Sequence, residues 1–186
     1  MSNAHLTISE LQKEELKFLL ELWNTPEIMR YADEFPRFRG WSKSNDEQSA
    51  WKIYKEKRAK HGYDYTQLIL WLDNIPIGES FFFSLPDSYT FGKWLKPDKV
   101  KSFMGDIKLL PRYWGRGIGS KGMRLVVRFV FTETKCELFV VPPHRLNPAA
   151  YRVYEKAGFI PFTGMRSWRN HRIMELSIEQ YEKIYL

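Results

Sequence analysis

From Met104 to Phe131 the chain runs an apolar strand pattern into a glycine-rich turn and then into an amphipathic helical pattern. Few architectures satisfy that succession. Gly115, Gly117 and Gly119 lack a Cβ, so the backbone between them can bend tightly and turn its N–H groups toward an anion. The helix that follows adds its positive end and the unpaired donors of its first turn. Gly115-Arg116-Gly117-Ile118-Gly119-Ser120 therefore reads as a phosphate cradle, and the anion expected there is a pyrophosphate.

Other readings compete for these glycines. Gly117 to Gly122 has the G-x-G-x-x-G spacing of a dinucleotide fold, with Glu137 twenty residues after Gly117. In that motif the first glycine closes a turn directly after the strand. Here Pro111, Arg112, Tyr113 and Trp114 intervene, and Glu137 falls near the start of its strand, the wrong end to hold a ribose. A Walker A loop is excluded because no G-x-x-x-x-G-K-[ST] occurs. A glycine-rich turn without a ligand is the plain alternative.

A second segment decides among them. Leu138 to Phe159 reads as a strand, a short loop, a helix opened by Asn147 as cap with Pro148 at its first position, and a stop at Gly158. Together the two segments resemble the GNAT superfamily of acyl-CoA-dependent N-acetyltransferases. The family's pyrophosphate loop, Q/R-x-x-G-x-G/A, falls on Trp114 to Gly119, and its N-x-x-A-x-x-x-Y-E-K-x-G-F signature on Asn147 to Phe159. Trp114 in place of Gln or Arg is shared by the branch with a Tyr-Trp-Gly-Lys/Arg-Gly loop. At the other end, Leu6 to Ser9 and Trp23 to Met29 are similar to the opening of the ribosomal-protein, aminoglycoside 6′-N and siderophore-acetylating branches.

The resemblance spans essentially the whole chain. It implies an α/β (α+β) GNAT fold with a mixed, twisted central sheet flanked by helices on both faces. It also implies acetyl-CoA as co-substrate, no metal, and a small-molecule or peptide amine as acceptor. The reaction it implies is direct attack of the amine on the acetyl thioester. Alkyl amines titrate near lysine, at roughly pKa 10, so a base or a water chain is needed at neutral pH.

In the family the thioester carbonyl is held by a backbone N–H at the end of the strand before the cradle, here Leu109 or Leu110. Tyr154, seven residues after Asn147, occupies the position whose hydroxyl approaches the sulfur as general acid; its structural alternative is packing. Asn147 is both a helix cap and, by resemblance, a cofactor contact. In the aminoglycoside and siderophore branches an Asp or His serves as base at the position of Gly105. Its neighbour Asp106 has the only carboxylate on this strand, and alternation sends it to the opposite face unless a bulge shifts the register. Asp106 is the first candidate base, followed by Glu79, Glu34 and His144. The acidic residue often found before the last cofactor helix is replaced by Pro142.

The acceptor site is expected among Trp23, Tyr31, the Phe35 to Trp41 loop, Glu79 and the strand around Phe81 to Phe83. Arg30, Arg37, Arg39 and Lys43 make that region basic, which suits an anionic or carboxylate-bearing acceptor better than a polycation. A catalytically silent module that binds acyl-CoA is the alternative from another class, with the missing strand carboxylate as its support and Tyr154 as the argument against it.

Composition agrees with one domain over residues 1–186, since 186 residues at 44% hydrophobic content suffice for one sizeable core. Apolar runs are too short for a membrane span, no signal-peptide pattern opens the chain, and Ser2 to Ala4 reads as a vector remnant. The single cysteine, Cys136, reads as a buried small side chain, and a reducing cytoplasm fits. The net charge of +7 is spread along the chain. Lys52, Lys55, Lys57, Arg58 and Lys60 are interrupted by Glu56 and read as a solvated helix face. Coenzyme A accounts for a positive rim of Arg112, Arg116, Lys121 and Arg152 without nucleic acid. A monomer or homodimer is expected.

Periodicity predicts a strand over Leu6 to Ser9, helices over Glu14 to Trp23 and Pro26 to Tyr31, and a long helix from Ser44 or Asn45 to Gly62. A hairpin of Thr66 to Leu72 and Ile75 to Leu85 follows across Asp73-Asn74. Pro86 to Lys101 reads as irregular. A strand over Met104 to Leu110, the cradle helix, a strand over Lys135 to Val141, the Pro148 helix and strands near Phe159 and Arg172 to Leu176 complete the chain.

Overall fold

The structure, a computed structural model, describes residues 5–31, 41, 46–91, 94–163 and 170–186. It begins with β1 (Leu6–Glu10), α1 (Leu16–Trp23) and α2 (Pro26–Met29). The first predicted helix opens as a separate single turn of 3-10 helix, Lys13–Glu15. The long helix α3 (Glu47–His61) is capped by Asp46, whose side chain accepts from the Ser49 N–H at 2.8 Å. The expected caps Ser44 and Asn45, together with Glu34, Arg37, Arg39, Lys43 and most of the Phe35 to Trp41 loop, lie outside the described residues.

The hairpin forms as expected from β2 (Tyr65–Leu72) and β3 (Ile75–Ser84). Asp73 and Asn74 have φ of 50° and 66°, the two positive values that let a two-residue turn follow the twist of its strands. The segment read as irregular contains a short ribbon, β4 (Thr90–Phe91) with β5 (Trp94–Leu95). Trp94 carries it, with a buried ring and an indole N–H that donates to Glu175 at 2.6 Å. The strand before the cradle is split into β6 (Ser102–Gly105) and β7 (Lys108–Leu109). The chain continues with α4 (Ile118–Glu133), β8 (Leu138–Val141), α5 (Pro148–Lys156), β9 (Ile160–Pro161), β10 (Met174–Ser177) and α6 (Ile178–Tyr185). No periodicity argument above anticipates α6; Ser177 and Gln180 form its capping box.

The main sheet runs β1-β2-β3-β6-β8-β10-β9, with β7 also on β3; β6 and β8 are parallel and every other pair is antiparallel. Adjacent residues of β2 show that both faces are covered. Leu68 joins Phe82, Phe103 and Phe139 beneath Met123, Val126 and Val130 of α4. Ile69 joins Leu16, Leu19 and Leu22 of α1 and Ala50 and Tyr54 of α3 on the other side.

The split strand keeps one register on β3. Phe82 faces Gly105 and Glu79 faces Lys108, pairs that fall on one continuous antiparallel alignment with no inserted residue. The bulge of this sheet region lies instead in the β2–β3 pair, between Leu70 and Trp71. On its other edge the ladder is short, since β6 pairs β8 only from Ser102↔Leu138 to Met104↔Val140. Pro142 and Pro143 follow β8 directly and have no N–H to extend it, so β7 and the chain beyond β8 part company.

Gly105 sits at the start of that parting. A Cβ there would lie 2.9 Å from the Phe81 carbonyl oxygen and from Phe82 Cβ, and 3.0 Å from the Phe139 ring. Gly105→Ala is expected to cost about 1–3 kcal/mol through overpacking, read as a lower urea midpoint with unchanged slope. A variant as stable as the parent would mean that the phenylalanines yield without strain.

Candidate active site

The kept register decides where each backbone donor of the split strand points. Asp106 N–H donates to Phe81 O at 3.1 Å and Leu110 N–H to Ile77 O at 2.9 Å, so even-numbered donors face β3. In an antiparallel ladder the alternate residues turn the other way. The N–H groups of Ile107 and Leu109 therefore face the parting, where no strand continues the ladder. Leu110, expected as an alternative carbonyl-binding donor, is committed to β3; Leu109 retains that geometry.

Side chains alternate in the same rhythm. Met104, Asp106 and Lys108 face α1 and α2 and line a cavity of about 190 Å³, shared with Trp23, Tyr31 and Tyr154. The expectation that alternation turns Asp106 away from the site is thus reversed without any bulge. The direction of Gly105 is the one closed by phenylalanine, while that of Asp106 opens on the cavity. Asp106, the only carboxylate on this strand, lines that cavity. Asp106 Oδ2 accepts from Lys108 Nζ at 2.5 Å, whereas Oδ1 is buried with no hydrogen-bond partner among the described residues.

Lys108 is a residue that motif reasoning missed, although a lysine alternating with Met104 and Asp106 in an apolar strand is a readable signal. Its side chain is 7% exposed and its Nζ also donates to Glu79 Oε1 at 2.8 Å, while its ammonium lies 4.4 Å from the Trp23 ring centroid. Burial pulls the Lys108 pKa down, but the charges of Asp106 and Glu79 outweigh it and raise it. Glu79, expected as an acceptor contact or second base, is fully buried behind Lys108, and its oxygens are taken by Lys108 and by Gln67 Nε2. It does not line the cavity. Burial raises its pKa above the usual carboxylate range, against the pull of Lys108.

Tyr154 projects from α5 into the same cavity, 4% exposed, with its hydroxyl against the Ile107 N–H. Burial, reinforced by the charge of Asp106, holds the phenol well above its usual pKa, so it keeps its proton at neutral pH. Tyr31 packs at a tilt against His144, 5.1 Å between centroids, and Trp23 Nε1 is buried with no hydrogen-bond partner among the described residues. The His144 ring accepts from the Leu146 N–H at 3.1 Å. Cys136 is buried, and burial raises its thiol pKa, as for a packing side chain.

The cradle is built as its glycines require. Gly115 and Gly117 have φ of 71° and 75°, and Gly117, the N-cap of α4, has no side chain to cap the first-turn donors. Trp114 Nε1 donates to Leu109 O at 2.8 Å and ties the loop to the end of β7. Gly119 packs against α5, where a Cβ would lie 3.1 Å from Val153. Asn147 caps α5 by accepting from the Ala150 N–H at 3.1 Å, and it lines the cavity. Among the described residues no cluster of metal-ligating side chains occurs, and no helix is long and apolar enough to cross a membrane.

The Acetyltransferase (GNAT) domain family matches residues 5–160. The chain belongs to this family. Membership makes it a GNAT N-acetyltransferase that takes its acetyl group from acetyl-CoA. Solved structures share the fold across almost the entire chain. The aminoglycoside acetyltransferase AAC(6')-Ib in complex with coenzyme A and kanamycin superposes with a TM-score of 0.71 at 19% identity, covering 97% of this chain and 99% of that one. The spermidine N-acetyltransferase from Vibrio cholerae in complex with CoA and spermine gives 0.70 at 18%, covering 95% and 98%.

The buried pair makes a stability prediction. A carboxyl whose pKa is raised in the folded state binds more protons folded than unfolded. Its contribution is therefore full below the unfolded value of about 4.3 and is lost as pH rises through the folded one. Lys108→Met removes the counter-charge of Glu79 and is expected to cost about 3–5 kcal/mol at neutral pH. The deficit shrinks toward about pH 4, where Glu79 is protonated in both states. Glu79→Gln in the same background should recover most of it in urea melts. A deficit independent of pH would show that packing, and not charge, holds Lys108.

Proposed function

We propose that the cavity is where an amine acceptor meets the acetyl thioester, with Asp106 as base and Tyr154 as acid. The observation that carries this reading is that one cavity joins a buried, unpartnered carboxylate oxygen to a protonated, buried phenol at the parting of β7 and β8. The N–H groups of Gly115 to Ser120 and the open end of α4 suit the pyrophosphate of coenzyme A, and Arg116 stands exposed at the rim. Asn147 and the parting of the strands suit the pantetheine arm.

The chain's own groups then divide the chemistry. Asp106 Oδ1 accepts the ammonium proton of the acceptor, and the freed nitrogen attacks the carbonyl carbon. The Leu109 N–H stabilises the negative charge that develops on the carbonyl oxygen. As the new C–N bond forms and the C–S bond breaks, Tyr154 gives its proton to the departing sulfur; the second proton leaving the nitrogen restores the phenol, and the one held by Asp106 passes to solvent. Trp23 and Tyr31 bound the acceptor side, with Lys108 fixing Asp106 Oδ2. The acceptor is a small amine, matching the cavity's size.

Incubation with acetyl-CoA and an amine panel, followed by release of free thiol, tests the activity. Tyr154→Phe is expected to lower kcat about a hundredfold while leaving the acetyl-CoA thermal shift intact; an unchanged kcat where chemistry limits turnover would leave the ring only a packing role. Asp106→Asn should lose rate at neutral pH and recover it as pH nears the amine's own value of about 10. A pH-independent loss would remove Asp106 as base. Gly117→Val, forced to a positive φ, should abolish the thermal shift.

A further inference from the structure

A second cavity of about 180 Å³ adjoins the first and shares Pro143 and His144 with it. Its wall is basic: Arg145, Arg152 and Arg172 line it together with Tyr151 and Pro148, and no carboxylate does. Two of the arginines are presented by hydrogen-bonded backbone. His144 and His171 face each other in an antiparallel bridge, Arg145 N–H donates to Asn170 O, and Arg172 N–H donates to Pro143 O at 3.0 Å. Alternation across that bridge puts Arg145 and Arg172 on one side and the two histidine rings, 5.0 Å apart, on the other. Arg152 joins from α5, where its Nε donates to Pro148 O at 3.4 Å. None of the three guanidinium groups forms an ion pair among the described residues.

Three like charges gathered on a fixed frame without counter-charge repel one another, and an oxyanion relieves that repulsion while accepting the planar donor forks of arginine. The first cavity, by contrast, ends in the free oxygen of Asp106, which suits an ammonium. A molecule that spans both, passing His144, carries an amine at one end and an anion at the other. Building on the acetyl-transfer reading above, we infer that the acceptor is an amine bearing a phosphate or carboxylate, whose oxyanion sits among Arg145, Arg152 and Arg172. A polyamine, cationic along its length, is disfavoured by the same charges.

The test compares wild type with the Arg145→Gln/Arg172→Gln variant, both sites being exposed and outside the catalytic groups. Matched amines are used: O-phosphoethanolamine against ethanolamine, and β-alanine against its amide. The anionic member of at least one pair is expected to have the higher kcat/KM by about tenfold or more, and the variant to erase that preference with KM for acetyl-CoA unchanged. Calorimetric titration of the same amines into the coenzyme A-saturated protein reads binding independently of turnover. Variant-sensitive binding without acetylation supports the oxyanion site while counting against the acetyl-transfer reading. Equal use and equal binding of both members, or no binding of any, overturns the inference. So does a variant whose loss falls on KM for acetyl-CoA and disappears with the dephospho form, since the arginines would then hold the ribose phosphate.

Discussion

Two prolines make the site. Pro142 and Pro143 follow the last residue of β8, and a residue without an N–H cannot extend a parallel ladder. The pairing of β6 with β8 therefore ends at Met104↔Val140, and the donors of Ile107 and Leu109 face a space instead of a strand. One meets the Tyr154 hydroxyl and the other remains available to a carbonyl. The prolines' carbonyls are still used, Pro142 O by His171 and Pro143 O by Arg172, so the far side of the opening is held firmly while its near side stays unzipped. Without that interruption the ladder could continue past Met104↔Val140 and close the opening.

The second constraint is electrostatic. Taking Glu79 and Lys108 out of water costs several kcal/mol per ion, and a well-packed apolar pair of similar volume would fold at least as readily. What the pair supplies is position. Lys108 is held from below by Glu79 and from the side by the Trp23 ring, so its remaining bond fixes Oδ2 of Asp106 and leaves Oδ1 toward the cavity. Because Trp23 belongs to α1, the same contact ties that helix to the strand that carries Asp106.

Much of this was legible in the sequence where a local rule dictates geometry. The Asn147 cap with Pro148, the Asp73-Asn74 turn and the glycines before α4 all impose backbone conformations that short stretches of chain reveal, and each is found as expected. The face presented by Asp106 was not legible. It depends on the register of β3, and a one-residue choice in register reverses every side chain. Counting back from Gly117 placed the functional face at Gly105, where Phe82 and Phe139 leave no room for a side chain. Glu79 was misassigned for a related reason: a carboxylate in a strand can be read from composition, but its burial behind Lys108 is a property of the neighbouring strand. The β4–β5 ribbon depends on one long-range contact, Trp94 to Glu175, which no local pattern announces.

Tyr154 and Asp106 meet different surroundings. Tyr154 sits in the apolar cluster beneath α4 and beside the charge of Asp106, and both effects oppose forming a phenolate. The phenol therefore keeps its proton at neutral pH. Asp106 keeps 40% of its side chain exposed and anchors Oδ2 on the Lys108 ammonium, while Oδ1 is buried. The charge that makes Asp106 attractive to an ammonium is the same charge that discourages Tyr154 from ionising early.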